Sequence, residues 1–193
     1  MASSGSTPNP PPDPPIPLLL VIAGEDHPKA CTGRKLRRAG LVRILPASQR
    51  PKGGPLLLDP YAARPLSAED RPIARRGLVG IDCSWNRLGD RGRYPLEIRW
   101  IDRIAERRRL PWLLAANPQH FGRLGELNTA EAFASALWVL GERERAHSLL
   151  ERFPGGGAFF EVNGPTLARY AGCVTEREIR EAERLAFSGE AHR

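Results

Sequence analysis

Leu78-Val79-Gly80-Ile81 runs without interruption into Asp82-Cys83-Ser84-Trp85, so an apolar strand ends on an acid and a large aromatic residue. A second continuous apolar run, Leu18-Leu19-Leu20-Val21-Ile22-Ala23, follows Pro17. Short runs with no polar alternation suit strands buried on both faces. Two further strand-like segments, Leu41 to Leu45 and Leu56 to Leu58, lie between them, separated by a loop of Pro, Gly and Lys. Lys35 to Leu41 has a basic helical stretch ended by Gly40, and Ser67-Ala68-Glu69-Asp70 opens another helix with serine as cap and acids in the first turn. Strands alternating with helices predict an α/β fold with a largely parallel sheet. In such sheets ligands sit beyond the carboxyl ends of the strands, where Asp82 falls.

The second half has a different character. Ile98 to Arg109 is helical and heavily basic, and Leu110 to Ala116 is a last apolar run closed by Asn117-Pro118. Helices dominate from Thr129 on. Phe133, Leu137 and Leu140 keep helical spacing, and Gly155-Gly156-Gly157 is a loop. Thr175-x-x-Glu178 is a capping box backed by a stripe of Ile179, Ala182, Leu185 and Ala186. The expected organisation is a disordered Pro-rich tail over 1–16, an α/β unit over 17–109, a mainly helical unit over 110–187 and a short tail over 188–193.

Composition narrows the class. The chain has 193 residues, 41% of them apolar and 26% charged, as a globular domain requires. Lys plus Arg number 29 against 22 Asp plus Glu, and the resulting charge of +7 suits a polyanionic partner. Cys31, Cys83 and Cys173 have no paired spacing, so neither a metal site nor a disulfide framework is expected. A reducing, cytoplasmic setting follows, and Leu18 to Ala23 is too short to span a bilayer. His27, His120, His147 and His192 stand singly, and there is no phosphate loop, GxGxxG, HExxH or GxSxG.

Four segments are unusual for packing alone. Asp26-His27-Pro28-Lys29-Ala30-Cys31-Thr32-Gly33-Arg34-Lys35-Leu36 is a polar loop entering a basic helix, able to offer backbone N–H groups and a hydroxyl to a carboxylate. Leu56-Leu57-Leu58-Asp59-Pro60 could present strand-end backbone to an adenine. Gly80 to Trp85 pairs an acid with an aromatic. Leu110-Pro111-Trp112-Leu113-Leu114-Ala115-Ala116-Asn117-Pro118 continues to Leu127-Asn128-Thr129-Ala130-Glu131-Ala132-Phe133. Each also has a plain reading as turn, buried strand or helix start.

Taken in order, these blocks resemble the small-subunit (16S/18S) ribosomal RNA aminocarboxypropyltransferase family, from about Leu18 to Leu185. Phe159-Phe160-Glu161-Val162-Asn163 adds to the likeness. Three departures stand out: the family often has an aromatic residue where this chain has Gly125 and a Trp-Gly pair near Gly155 to Gly157, and the stretch Gly89 to Arg99 is looser and more basic than usual. The resemblance implies a trefoil-knotted parallel sheet related to SPOUT RNA methyltransferases, with a mainly helical C-terminal half. It implies S-adenosylmethionine as group donor. The reaction implied is transfer of a 3-amino-3-carboxypropyl group to N3 of a uridine or pseudouridine in small-subunit rRNA, N1-methylpseudouridine in particular. It also implies a monomer acting on rRNA or a pre-ribosomal particle, away from membranes.

Residue by residue, the resemblance puts Thr32 at the ribose or methionine end of the cofactor and Leu58 and Pro60 beside its adenine. Ile81 would give backbone contact, Trp85 would wall off the methyl group, and Leu110 and Leu114 would lie along the knot strand. Thr129 would cap the helix facing the cofactor. Asp82 is the candidate general base or substrate orienter. Arg34, Lys35, Arg37, Arg38 and Arg123 are candidates for RNA phosphates, with Arg107, Arg108 and Arg109 beside them. Two other readings are open: a SPOUT-type RNA methyltransferase, and a non-catalytic ribosome-assembly factor that binds RNA.

Overall fold

In the computed structural model, residues 13–23, 32–83, 85, 94 and 96–188 are described, the side chains of 96, 97 and 99 excepted. Among them five strands form one parallel sheet in the order β2-β1-β4-β3-β5. They are β1 (Leu18–Ile22), β2 (Arg43–Leu45), β3 (Leu56–Leu58), β4 (Leu78–Asp82) and β5 (Arg107–Arg108). The register pairs Leu18 with Leu78 and Ile22 with Asp82, so β1 and β4 run side by side over their full length.

The uninterrupted apolar runs have a simple cause. Leu18 and Leu20 of β1 join one buried cluster with Leu56, Leu58 and Leu78, while Leu19 and Val21 join another with Leu57 and Val79. Alternate side chains point to opposite faces, and both faces are covered. Helices cover the first face: α1 (Thr32–Arg38), α3 (Thr129–Val139), α4 (Arg143–Leu150), α5 (Gly156–Tyr170) and α6 (Glu176–Phe187) contribute to its cluster. The short α2 (Arg71–Ala74) follows a 3-10 turn, Ala68–Asp70, as Ser67 and its acids predict. The second face is covered by the 3-10 segment Leu96–Arg103, through Ile98, Trp100 and Ile101.

Local signals set most helix ends. Gly40 has φ +68°, its N–H donates to Arg37 and that of Leu41 to Leu36, a glycine-terminated helix end that stops α1. Thr175 and Glu178 close the expected capping box of α6. Gly80 is packed under Phe133, whose ring would lie 2.7 Å from any Cβ placed there.

Several expectations are corrected. Ile16, assigned to the tail, is fully buried; its N–H donates to Glu142 at 3.0 Å and its carbonyl accepts from Arg145 at 2.6 Å. The stretch Ile98 to Arg109 is not one helix, because Arg107–Arg108 pairs in parallel with Leu57 and Leu58 as the edge strand. Leu110 to Ala116 is not a sheet strand. Pro111 lacks an N–H, and the N–H groups of Trp112 and Leu114 donate to the side chains of Glu183 and Asn163. Gly155 is the N-cap of α5, so Gly156 and Gly157 form a first helical turn rather than a loop. Leu185 is exposed, and Glu183 is buried on α6 instead because it has partners. Residues 1–12 of the expected tail, 26–31 of the polar loop, Ser84 and the final residues 189–193 lie outside the described residues. Among those described, no helix is long and apolar enough to cross a membrane.

Candidate functional site

The carboxyl ends of β3 and β4 lie side by side, and beyond them opens a cavity of about 1050 Å3. Strand ends Leu58 and Ile81, the first residues of α1 and α3 and the segments 109–112 and 117–128 surround it. Its walls combine flat apolar surfaces (Leu58, Ile81, Leu110, Phe133) with carboxylates and aromatic rings.

Asp82 sits where three elements meet. Its Oδ2 accepts from the Gly33 N–H at 2.9 Å, at the start of α1, and its Oδ1 accepts from the Thr129 hydroxyl, at the start of α3. A carboxylate so placed ties two helix N-termini to the end of β4 and favours their dipoles. Gly33 is required beside it, since a Cβ there would lie 2.5 Å from Asp82 Oδ2.

Trp85 donates its indole N–H to the Leu127 carbonyl at 2.9 Å, which fixes the ring against the cavity. Asp59, buried, accepts from Arg107 at 2.6 and 2.8 Å, from the Tyr94 hydroxyl at 2.8 Å and from the Tyr61 N–H at 3.1 Å. It thereby sets the turn that carries Pro60. Burial, with the adjacent Asp59 charge and hydrogen bond, pushes the Tyr94 hydroxyl far above the ordinary tyrosine range, so it stays a neutral donor.

Buried Glu131 organises the opposite wall. It accepts from the Ala116 N–H at 2.9 Å, the Asn117 amide at 2.7 Å and the Asn128 N–H at 2.9 Å. His120 pairs with Glu126, to which Arg123 also reaches at 3.2 Å. Gly125, with φ +76°, donates its N–H to Leu113 at 2.8 Å. Glycine suits that backbone, and an aromatic residue there would be strained.

The comparisons with known proteins bear on this cavity. A 16S rRNA aminocarboxypropyltransferase of Methanosarcina acetivorans is 39% identical over 168 residues, 87% of this chain and 92% of that protein. The chain belongs to the rRNA aminocarboxypropyltransferase family. A second 16S rRNA aminocarboxypropyltransferase, from Halobacterium salinarum, is 41% identical over 84% of this chain and 91% of its own length. An 18S rRNA aminocarboxypropyltransferase of Schizosaccharomyces pombe is 35% identical over 88% of this chain and 57% of its own. The solved structure of the SAM-dependent rRNA:acp-transferase Tsr3 from Vulcanisaeta distributa matches with a TM-score of 0.70 at 33% identity, covering 90% of this chain and 100% of that one. A family model described as "Ribosome biogenesis protein, C-terminal" matches residues 56–187. Another, described as "Possible Fer4-like domain in RNase L inhibitor, RLI", matches residues 17–50. Cys31 is the one cysteine in that stretch, whereas iron–sulfur clusters are held by about four thiolates.

Within this aminocarboxypropyltransferase the candidate residues divide cleanly. Thr32, Leu58, Pro60, Ile81, Trp85, Leu110 and Thr129 line the cavity together with Asp82 and Arg123. Leu114 does not line it; both its backbone groups bond to Asn163, at 2.8 and 2.9 Å. Thr129 is not the cap of α3. Asn128 is, accepting from the N–H groups of Ala130 and Glu131, and the Thr129 hydroxyl is spent on Asp82. Arg34, Lys35, Arg37 and Arg38 are exposed along α1, outside the cavity lining. The arginine triplet is paired within the fold: Arg107 with Asp59, Arg108 with Asp70 and Glu106, and Arg109 with Glu183 at 2.5 and 2.7 Å.

Asp59, Glu131, Asn163 and Glu183 were not singled out from sequence as organising residues. Glu183 stands among charged residues that read as a solvated helix face, whereas Asp59, Glu131 and Asn163 stand inside or beside apolar runs that read as packing. A carboxylate or amide amid apolar neighbours is the signal that could have found them.

Proposed function

We propose that this protein binds S-adenosylmethionine in the cavity beyond β3 and β4 and transfers its 3-amino-3-carboxypropyl group to small-subunit rRNA. The observation that supports it most directly is that cavity: flat apolar walls, turned strand ends and a carboxylate suit an adenosine with a charged amino-acid arm. When bound, the cofactor supplies a sulfonium-activated carbon, and methylthioadenosine leaves as the aminocarboxypropyl group is transferred.

The chain's own residues then select which group moves. Leu58 and Pro60 border the adenine, and Ile81 gives the cofactor backbone contact at the strand end. Thr32 meets the ribose or methionine end, Thr129 stands at the start of the helix that faces the cofactor, and Leu110 closes the wall. Leu114 acts from behind that wall through Asn163. Trp85, its ring fixed by Leu127, covers the methyl and leaves the longer arm to the acceptor. The acceptor we infer is N3 of a uridine-type base, a pseudouridine or its N1-methyl form, whose proton passes to solvent water as the N–C bond forms and the S–C bond breaks. With both oxygens accepting hydrogen bonds, Asp82 favours the orienting half of its role over free proton abstraction. Arg34, Lys35, Arg37 and Arg38 on α1, with Arg123, hold RNA phosphates.

The segment 110–127, which joins β5 to α3 along the cavity wall, is our candidate for the knotted passage of a SPOUT-like chain. The division at Leu110 separates that passage from the sheet before it. We take the enzyme to act as a cytoplasmic monomer.

Product analysis tests the reading. Incubation with labelled S-adenosylmethionine and small-subunit RNA should release methylthioadenosine; S-adenosylhomocysteine in its place would make the protein a methyltransferase. No cofactor binding by calorimetry would leave only an RNA-binding assembly factor. An Asp82→Ala protein with normal cofactor affinity and full transfer rate would remove Asp82 from the mechanism.

A further inference from the structure

Six large apolar side chains are exposed among the described residues, and four of them gather at the cavity mouth or on its wall: Tyr61 (51% exposed), Trp112 (42%), Phe121 (64%) and Leu124 (40%). Three of these four line the cavity, and Phe121 stands in the wall segment between the lining residues His120 and Arg123. Clustered apolar exposure of this kind marks a contact surface.

The elements carrying these rings are held in place. Residues 113–125 form a hairpin arm: Gly122 N–H donates to Ala115 at 2.8 Å, Ala115 N–H to Arg123 at 2.9 Å and Gly125 N–H to Leu113 at 2.8 Å. Phe121 lies at the tip. At the base, the Arg109 guanidinium lies over the Trp112 ring, 5.9 Å from its centroid, and Phe187 meets that ring edge-on at 6.0 Å. Glu183 grips Arg109 and the Trp112 N–H, while Tyr170 donates to the Trp112 carbonyl at 2.8 Å. An indole so fixed has little left to lose in entropy on contact.

We propose that Trp112 and Phe121 form a stacking platform for unpaired bases of the RNA substrate. The inference rests on the reading of the chain as an rRNA-modifying enzyme and adds how the nucleotide strand is held. A base that attacks through N3 must have its pairing edge free, hence be unpaired and in need of a stacking surface. Arg123 beside the rings, and the four exposed cations of α1, match a phosphate backbone. A second copy of this chain fits less well, because each carries a formal charge of +7.

The test uses the full chain, a fluorescein-labelled oligouridylate and an RNA duplex of the same length, followed by fluorescence anisotropy over a range of salt. Trp112→Leu and Phe121→Leu, which keep apolar volume and remove the ring, should each weaken oligouridylate binding roughly tenfold. Duplex binding and the salt slope should not change. Equal weakening on both RNAs, or none on either, overturns the platform. So does a changed sedimentation behaviour with RNA affinity intact, which would make the patch a protein interface. The Phe121 side chain takes no part in the arm's backbone bonds, so that variant keeps the test valid if Trp112→Leu fails to fold. Wild-type protein that binds neither RNA and releases no methylthioadenosine overturns instead the reading beneath it.

Discussion

The Asn163 carboxamide of α5 completes both backbone hydrogen bonds of Leu114, donating to its carbonyl at 2.9 Å and accepting from its N–H at 2.8 Å. Leu113 and Ala115 bond to the returning arm 122–125, and on the opposite edge this one side chain takes the place of a neighbouring strand. Its Nδ2 also donates to the Phe159 carbonyl, which locks the rotamer.

Asn163→Leu should therefore unfasten the cavity wall. Two half-buried backbone groups lose their partners, at about 1–3 kcal/mol each. Thermal unfolding should show a lowered midpoint. Calorimetry should show S-adenosylmethionine affinity falling further than it does for an exposed control such as Arg184→Gln.

Arg108 and Asp70 are both almost completely buried and paired at 2.9 Å, with Glu106 as second partner. Asp70→Asn leaves a buried guanidinium poorly compensated, a loss of about 3–5 kcal/mol. The urea midpoint should drop accordingly. The double variant Asp70→Leu with Arg108→Met should recover much of that loss.

Trp85→Ala opens the wall that selects the transferred group. Methylthioadenosine release should fall, and S-adenosylhomocysteine should appear above the wild-type background. Trp85→Phe should keep the wild-type product while losing the anchor to Leu127. Chromatography with mass detection reads both.

Alkaline pH should destabilise the fold through two tyrosines. Burial first, then negative charge nearby (Asp59 for Tyr94, Glu183 for Tyr170), holds both hydroxyls far above the ordinary range. Below about pH 10 the phenols are neutral in both states and this stability is fully present. Above it the unfolded chain ionises and the folded one does not, so stability falls as pH rises. The melting temperature should decline from about pH 10 upward, and less steeply in Tyr170→Phe.

The parallel α/β sheet was legible because its strands carry the pattern of their own burial: Leu18 to Val21 and Leu78 to Gly80 are apolar on both faces, whatever packs on them. Thr175 and Glu178 were legible because a capping box is a contact between neighbours in sequence. What escaped was set by distant partners. Arg107 and Arg108 look like a basic surface until Asp59 and Asp70 are placed beside them. Leu110 to Ala116 looks like a strand until Pro111, Glu183 and Asn163 are seen to take its backbone out of the sheet. The cavity was approached through Asp82 at a strand end, but the residues that shape it, Asp59 and Glu131, bond chiefly across the fold.

The grip of Glu183 on Arg109 spans 74 residues, and that of Glu142 on Ile16 spans 126. Contacts of such separation close late in folding, after local helices have formed. During synthesis the sheet can gather early, but the wall carrying Trp112 cannot be fastened until α6 has been made. The nascent chain is therefore an unfinished receptor until α6 has been made.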